Sequence, residues 1–400
     1  MNWERTTLGD VSQSIQTGPF GSQLHQSDYS ETGTPVIMPK DLVNGKIATE
    51  SIARVSDSHV ERLSRHKVKP GDILYSRRGD VGRCAYATEA EANWLCGTGC
   101  LKVVIDPKKA DPQFIFYQLQ TAESVGWVEK HAIGATMLNL NTSILSAVPI
   151  SLPPLSVQNH IAGILSTYDD LIEINRKQIE LLEEAAQRLY KEWFIDFRFP
   201  GHETTRIIDG VPEGWYKTTI GENCTLVKKT ISADRIEKST PYIGLEHIPR
   251  RDFCLAAWGD SSEITSNKYQ FERYDIIFGQ IRPYFHKVGF ALVDGVASTD
   301  SFVMRPINDT WCQFLLTVSS DTFVDFAYQT CKEGSKMPRA DWNQIKNFSI
   351  LIPTVIVRQR FEELAKPIIE RIETLAFQNH SLTEARDRLL PKLMNEEIEV

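Results

Sequence analysis

The 400-residue chain contains no apolar run of the roughly 20 residues needed to cross a bilayer as a helix. Its opening, MNWERTTLGD, lacks the basic-then-apolar profile of a secretory signal. The seven cysteines are odd in number and irregularly spaced, which suits reduced thiols better than a disulfide framework. Together these absences predict a cytoplasmic protein. Also missing are a GxxxxGK[ST] phosphate loop, a GxGxxG turn after a strand, HExxH and GxSxG. No nucleophile, base and orienting group assemble into a site, so the chain is not expected to be an enzyme or to hold a metal. Nor is positive charge in excess. Forty-four basic residues face 52 acidic ones, a net charge of −8, which argues against tight unaided binding to nucleic acid. The balance is local, however: residues 1–155 carry 15 basic and 16 acidic side chains, and residues 200–355 carry 17 and 19. Each stretch is near neutral and can hold a local basic face.

What the chain does have is duplication. GATMLNLNTSILSAVPISLPPLSVQNHI at 134–161 aligns without a gap to GSKMPRADWNQIKNFSILIPTVIVRQRF at 334–361, pairing Gly134 with Gly334, Met137 with Met337, Ile150 with Ile350 and Pro153 with Pro353. A second echo, WERTTLGD at 3–10 and WYKTTIGE at 215–222, stands at a different offset. A period this long means a duplicated domain rather than a solenoid. The unequal offsets mean that the frame is copied and the interior is not.

Each copy runs into a long helical pattern. Apolar residues recur at Ile161, Leu165, Tyr168, Ile172, Ile179, Leu182, Ala186, Leu189 and Trp193, interrupted by Asn175. The second series is Phe361, Ala365, Ile368, Ile372, Leu375, Leu382, Leu389 and Leu393, with Asn379 and Arg386 as polar exceptions. A seam of period 3.5 held over about four heptads predicts a coiled coil. Two such helices, each about 55–60 Å long, are expected to pack on each other. Ser156 is the expected N-cap of the first and Pro200-Gly201 its end, while Pro367 predicts a kink or a later start for the second. The fold class is therefore mixed α/β (α+β): two tandem globular domains, 1–155 and 200–355, each followed by a spacer helix, 156–199 and 356–400, the two helices packing on each other as a coiled coil.

Basic and polar residues cluster after equivalent strands. GDILYSRRGDVGR supplies Arg77, Arg78 and Arg83, and YDIIFGQIRPYFHK supplies Gln280, Arg282, His286 and Lys287. Arginine bidentate to guanine and glutamine bidentate to adenine read base edges in the major groove, while lysine and loop N–H groups hold phosphates. Lys40, Lys102, Lys336, Arg339, Arg250 and Arg251 are further candidates, each of which reads equally as a solvated surface charge. The loop Thr17–Ser22 (TGPFGS) can bring backbone close to a phosphate or simply turn. Cys96 and Cys100 read as packed core thiols rather than half of a zinc site.

On WERTTLGDV, TGPFGSQL, GDILYSRRGDVGR, LPPLSVQNHIAGIL, LYKEWFIDFRFPG and VPEGWYKTTIGE, the chain resembles the specificity subunits of Type I restriction–modification systems across nearly its whole length. The second copy departs from the pattern where PTVIVRQRF replaces the double proline. The resemblance implies two target-recognition domains, each reading one half of a bipartite double-stranded DNA site, with the helices paired as an antiparallel coiled coil of pseudo-twofold symmetry that acts as a ruler between them. It implies docking of two methyltransferase subunits and of restriction/translocase subunits. S-adenosylmethionine, ATP and Mg²⁺ would belong to those partners, with no cofactor on this chain. Other readings are an assembly scaffold that never touches DNA, an enzyme with an unrecognised site, and the specificity subunit of a methylation-only complex. DNA crosslinks within 1–155 and 200–355 separate the scaffold from the first reading.

Overall fold

The two echoes fold alike. In the computed structural model, which describes residues 3–134, 138–307, 309–332 and 334–398, the strand Glu4–Thr7 pairs antiparallel with Pro149–Leu152, and Tyr216–Thr219 pairs antiparallel with Ser349–Ile352. Met137, one of the aligned repeat residues, lies outside the described residues. Each first strand runs into a single helical turn, Leu8–Val11 or Ile220–Asn223, closed by a capping box. Thr7 with Asp10, and Thr219 with Glu222, satisfy the free N–H groups of that turn. The threonine hydroxyls hold both carboxyls below the usual range, Thr7 chiefly for Asp10 and Thr218 for Glu222. The glycine in each echo has a packing reason. A Cβ on Gly9 would lie 3.2 Å from the Ser146 carbonyl, and one on Gly221 3.2 Å from the Lys346 carbonyl. The motif T-T-[LI]-G-[DE] thus encodes a strand end, a cap and a close approach, with the same partner 200 residues on.

The chain divides into two compact units, Met1–Asp169 with Glu384–Val400, and Asp170–Thr383. The first holds an antiparallel sheet in the order Ser12–Thr17, Cys100–Ile105, Ile73–Ser76, Cys84–Tyr86. A second four-stranded sheet runs Leu95–Cys96, Thr34–Ile37, Ala53–Val55, Tyr29–Ser30. In the other unit the corresponding sheets are Cys224–Val227, Ser301–Pro306, Ile276–Gly279, Val288–Ala291, Cys254–Leu255, and Thr230–Ile231, Lys268–Phe271, Gly295–Ala297, Tyr242–Ile243. The strands Ile73–Ser76 and Ile276–Gly279 are buried on both faces. Side chains alternate across a strand: Ile73 and Tyr75 enter one core while Leu74 enters another. Ile276 and Phe278 divide from Ile277 in the same way. That is why both strands read as unbroken apolar runs. All seven cysteines are free; six are buried and Cys331 is half-buried.

The long helices span Leu155–Tyr190 and Val355–Met394, and their first residues are 200 apart. The first begins one residue before Ser156, which is therefore inside the helix and not its cap; Pro154 accepts from the Val157 and Gln158 N–H groups. It ends in a π-turn, Lys191–Ile195, several residues before Pro200. The second runs uninterrupted through Pro367. A proline removes one helical hydrogen bond, and here Phe361 and Ala365 before it and Ile368, Ile369 and Ile372 after it pack into a core that holds the helix continuous.

Within Asp170–Thr383, Ile179, Leu182, Ala186, Leu189 and Trp193 share one core with Phe361, Ala365, Ile368, Ile372 and Ala376. Within the other unit, Ile161 and Leu165 share a core with Leu389, Leu393 and Met394. In each unit the start of one helix meets the end of the other, so the pairing is antiparallel. Ile172 is buried and Leu382 is half-buried. The polar exception Arg386 is explained by its partner: its Nη1 lies 2.6 Å from Asp169 Oδ1 on the facing helix, and Asp169 also accepts from the Tyr117 hydroxyl. With both groups about a quarter exposed, replacing Arg386 by alanine should lower stability by about 1–2 kcal/mol. An unchanged urea midpoint would show the pair to be idle.

The junction LYKEWFIDFRFPG followed by PEGW forms an aromatic cluster. Phe194, Phe197 and Phe199 ring Trp215 at centroid distances of 5.7, 5.7 and 5.0 Å. Phe361 packs edge-on against Phe194 at 4.7 Å and lies 5.5 Å from Trp193. Trp3, the counterpart of Trp215, packs on Phe114 in the first unit.

Candidate nucleic-acid interface

As each buried central strand leaves the sheet, its next residues pair with the opening of the duplicated passage. In the first unit the Leu140 N–H donates to the Arg77 carbonyl at 2.8 Å and the Gly79 N–H to the Leu138 carbonyl at 3.0 Å, which sets Arg78 opposite Asn139. In the second, the Ala340 N–H donates to the Gln280 carbonyl at 2.9 Å and the Arg282 N–H to the Pro338 carbonyl at 2.7 Å, with Ile281 opposite Arg339. The same junction therefore forms twice. Each passage enters it from a glycine at positive φ, 135° at Gly134 and 74° at Gly334, a conformation that favours glycine.

Around the first junction Arg77 is half-buried and Arg78 exposed. The Arg77 guanidinium lies 5.9 Å from the centroid of the exposed Phe20 ring. Around the second, Gln280, Ile281 and Arg282 are half-buried, and Arg339 is exposed and paired to Asp300 at 2.7 Å. Arg282 and His286 both adopt left-handed φ, 51° and 53°, flanking the short turn Pro283–Phe285. Backbone held in this region by non-glycine residues costs energy and persists where the surroundings enforce it. The turn presents an exposed Tyr284, and Arg250 stacks on Phe285 at 4.1 Å.

Some polar side-chain atoms at these junctions have no partner. Arg77 Nε and Asn139 Oδ1 in the first unit, and Arg282 Nε and Ser301 Oγ in the second, are buried with no hydrogen-bond partner among the described residues. Buried polar atoms in folded proteins are nearly always paired.

Residues 1–184 match the family described as the Type I restriction modification DNA specificity domain. Over its full length the chain is 26% identical to the specificity subunit of the Type I restriction enzyme MjaIX of Methanocaldococcus jannaschii, covering 94% of that protein. It is 21% identical, over 99% of itself and 100% of the relative, to the specificity subunit of the HindI enzyme of Haemophilus influenzae. Residues 1–184 thus carry a Type I restriction modification DNA specificity domain, and over its whole length the chain is similar to specificity subunits of Type I restriction enzymes. The crystal structure of such a subunit from M. genitalium shares its fold, with a TM-score of 0.60 at 17% identity over 98% of this chain and 96% of that one.

Not every expected contact residue of the chain lies on a junction. Lys102 is buried inside the sheet, where its Nζ donates to the Lys67 carbonyl and sits 3.7 Å from Asp72. Burial pushes the Asp72 carboxyl up. His286 is also buried, its Nε2 2.8 Å from the Ser319 carbonyl, and desolvation pushes its pKa down, favouring the neutral ring. Lys287 is half-buried, donates to the Leu245 carbonyl and is likewise shifted down, by burial first and the Arg250 charge second. Lys40 is exposed but tethered to Ser51, Arg83 is paired with Asp80, Arg251 with Asp321, and Lys336 stands exposed. The close backbone approach of the TGPFGS loop is internal: a Cβ on Gly18 would lie 1.9 Å from the Gly97 carbonyl. Cys96 and Cys100 are packed thiols, and burial pushes Cys96 up to about 12. Sequence reasoning missed Asn139, Phe20, Ser301 and Trp342. Asn139 and Trp342 lie in the duplicated passage, opposite Arg339 and Thr142, and comparing the two copies position by position would have marked them.

Proposed function

We propose that the chain is the specificity subunit of a Type I restriction–modification system and reads a bipartite double-stranded DNA target, one half-site per unit, through the two strand–passage junctions. The observation that carries the reading is the junction itself: the same backbone arrangement appears in both units, dressed with different polar side chains. A shared frame with divergent residues is what two half-sites of different sequence require. Arg78, Lys336 and Arg339 are exposed and suit phosphate contact, whereas the half-buried Arg77, Gln280 and Arg282 suit base edges. Near-neutral units with a local basic face fit a subunit that borrows further positive surface from its partners.

The partners in this reading are two methyltransferase subunits, with restriction/translocase subunits in the full complex. The chain itself is non-catalytic, and S-adenosylmethionine, ATP and Mg²⁺ act on those partners. Leu171, Ile174 and Leu181 project from the first long helix well exposed, away from its buried seam, and supply apolar surface for a docking subunit. The deciding experiment exchanges residues 200–355 for those of another family member and maps the methylated sequence. One half of the motif should change and the other persist; a change in both halves, or in neither, removes the modular reading.

A further inference from the structure

We propose that Arg77 and Gln280 are one specificity-determining position in two copies, selecting guanine in the half-site of the first unit and adenine in that of the second. The inference rests on the DNA-reading role argued above and deepens it to a base pair in each half. The two residues are equivalent by three backbone relations. Each follows directly on a buried strand whose last residue pairs with the neighbouring strand, Ser76 with Cys100 and Gly279 with Ser301. Each donates its own N–H to the turn before that neighbour, Arg77 to Gly99 at 2.9 Å and Gln280 to Asp300 at 2.8 Å. Each carbonyl accepts from the duplicated passage, from Leu140 and Ala340. By strand alternation both side chains continue the row of Tyr75 or Phe278 beyond the core edge.

Neither side chain is held by a short hydrogen bond of its own. Arg77 Nε has no partner among the described residues, and the Gln280 amide stands 3.5 Å from the Thr299 carbonyl, at the outer limit of a hydrogen bond. A planar guanidinium matches the O6/N7 pair of guanine, and a carboxamide matches the N6/N7 pair of adenine. The surroundings differ in the same sense. Gln280 opens onto a recess of about 340 Å³ that Ser301, Trp342 and Asn343 also line, and Trp342 packs on Phe302 at 5.4 Å. That apolar wall suits the C5-methyl of the thymine paired with adenine. In the first unit Thr142 stands where Trp342 does, and Phe20 lies beside the guanidinium instead.

The test uses the full chain in the complex that co-purifies with it, selecting from a pool of randomised duplexes and sequencing what is bound. The wild-type complex should fix two short motifs separated by an unread spacer. Arg77→Gln should convert one G·C pair to A·T in one motif, with a preference of about tenfold to a hundredfold, and leave the other motif intact. Gln280→Arg should do the converse. Should either exchange fail to assemble, Arg77→Lys should keep guanine and Arg77→Ala should relax that single position. Motifs unchanged in the variants, or weakening that is equal for every sequence, would overturn the assignment while leaving the DNA-reading role intact. A wild-type complex that fixes no motif would remove that role and the assignment together.

Discussion

Replacing Phe361 by alanine should cost about 3–5 kcal/mol, the range for deleting a fully buried phenyl ring. The ring is wholly inaccessible and lies against Trp193 and Phe194, beside Ala365 on its own helix. It is the point in the second unit where the start of one long helix, the π-turn of the other and the cluster around Trp215 converge. Its loss removes apolar area and leaves a cavity walled by the Trp193 and Phe194 rings, the latter held in turn by Tyr190 and Trp215, so that the walls relax poorly. Leu364, on the same helix but well exposed, is the control and should change stability by less than about 0.5 kcal/mol on truncation. Urea denaturation of the two variants decides the matter. Equal midpoints would mean that the helix start is not anchored through this ring.

The second large effect is a pH dependence centred on Glu183. Its side chain is 6% exposed and its Oε1 accepts from the Phe253 and Cys254 N–H groups at 3.0 and 3.2 Å, tying the first long helix to the strand Cys254–Leu255. Burial, with the Asp252 charge second, pushes this carboxyl from its ordinary 4.5 up to about 8, and the two N–H groups moderate the rise. The folded state therefore holds the proton more tightly than the unfolded chain. The stability linked to that proton is complete below about pH 4.5, falls as the unfolded chain ionises first, and is gone above about pH 8. A tenfold change in proton affinity is worth about 1.4 kcal/mol, so a loss of about 2–5 kcal/mol across that window is expected from this residue. Glu183→Gln keeps an acceptor for both N–H groups and has no proton to lose, so it should be more stable than the wild type at pH 9 and nearly equal at pH 5. Parallel stability profiles for the two proteins would assign the pH dependence elsewhere.

The frame was legible because duplication exposes it. Two strand–cap–glycine motifs and two long seams recur, and periodicity predicts that helices too long to bury themselves pack on each other. The strands ahead of Arg77 and Gln280 were legible for a related reason, since a segment buried on both faces leaves an apolar run bounded by polar loops. What failed depended on partners remote in sequence. A lysine inside a strand looks like a surface charge until Asp72 and the Lys67 carbonyl are brought to it, so Lys102 was misplaced. His286 was misplaced for want of Ser319, and Gly18 invited a ligand because Gly97 was not in view. Ser156 and Pro367 were judged by local preference, which tertiary packing overrode at both helix starts. The junctions themselves, where the passage returns beside the strand, involve separations of about sixty residues that no local pattern encodes.

The buried thiols give the molecule an internal clock. Cys84, Cys96 and Cys100 lie in the first unit, and Cys224, Cys254, Cys312 and Cys331 in the second. Burial raises every one of them, leaving little thiolate to react while the fold is closed. Alkylation at each sulfur is therefore gated by the opening of the structure around it, except at half-exposed Cys331, which should react first. The rates at the other six would time the breathing of each unit separately, with no label added to the protein.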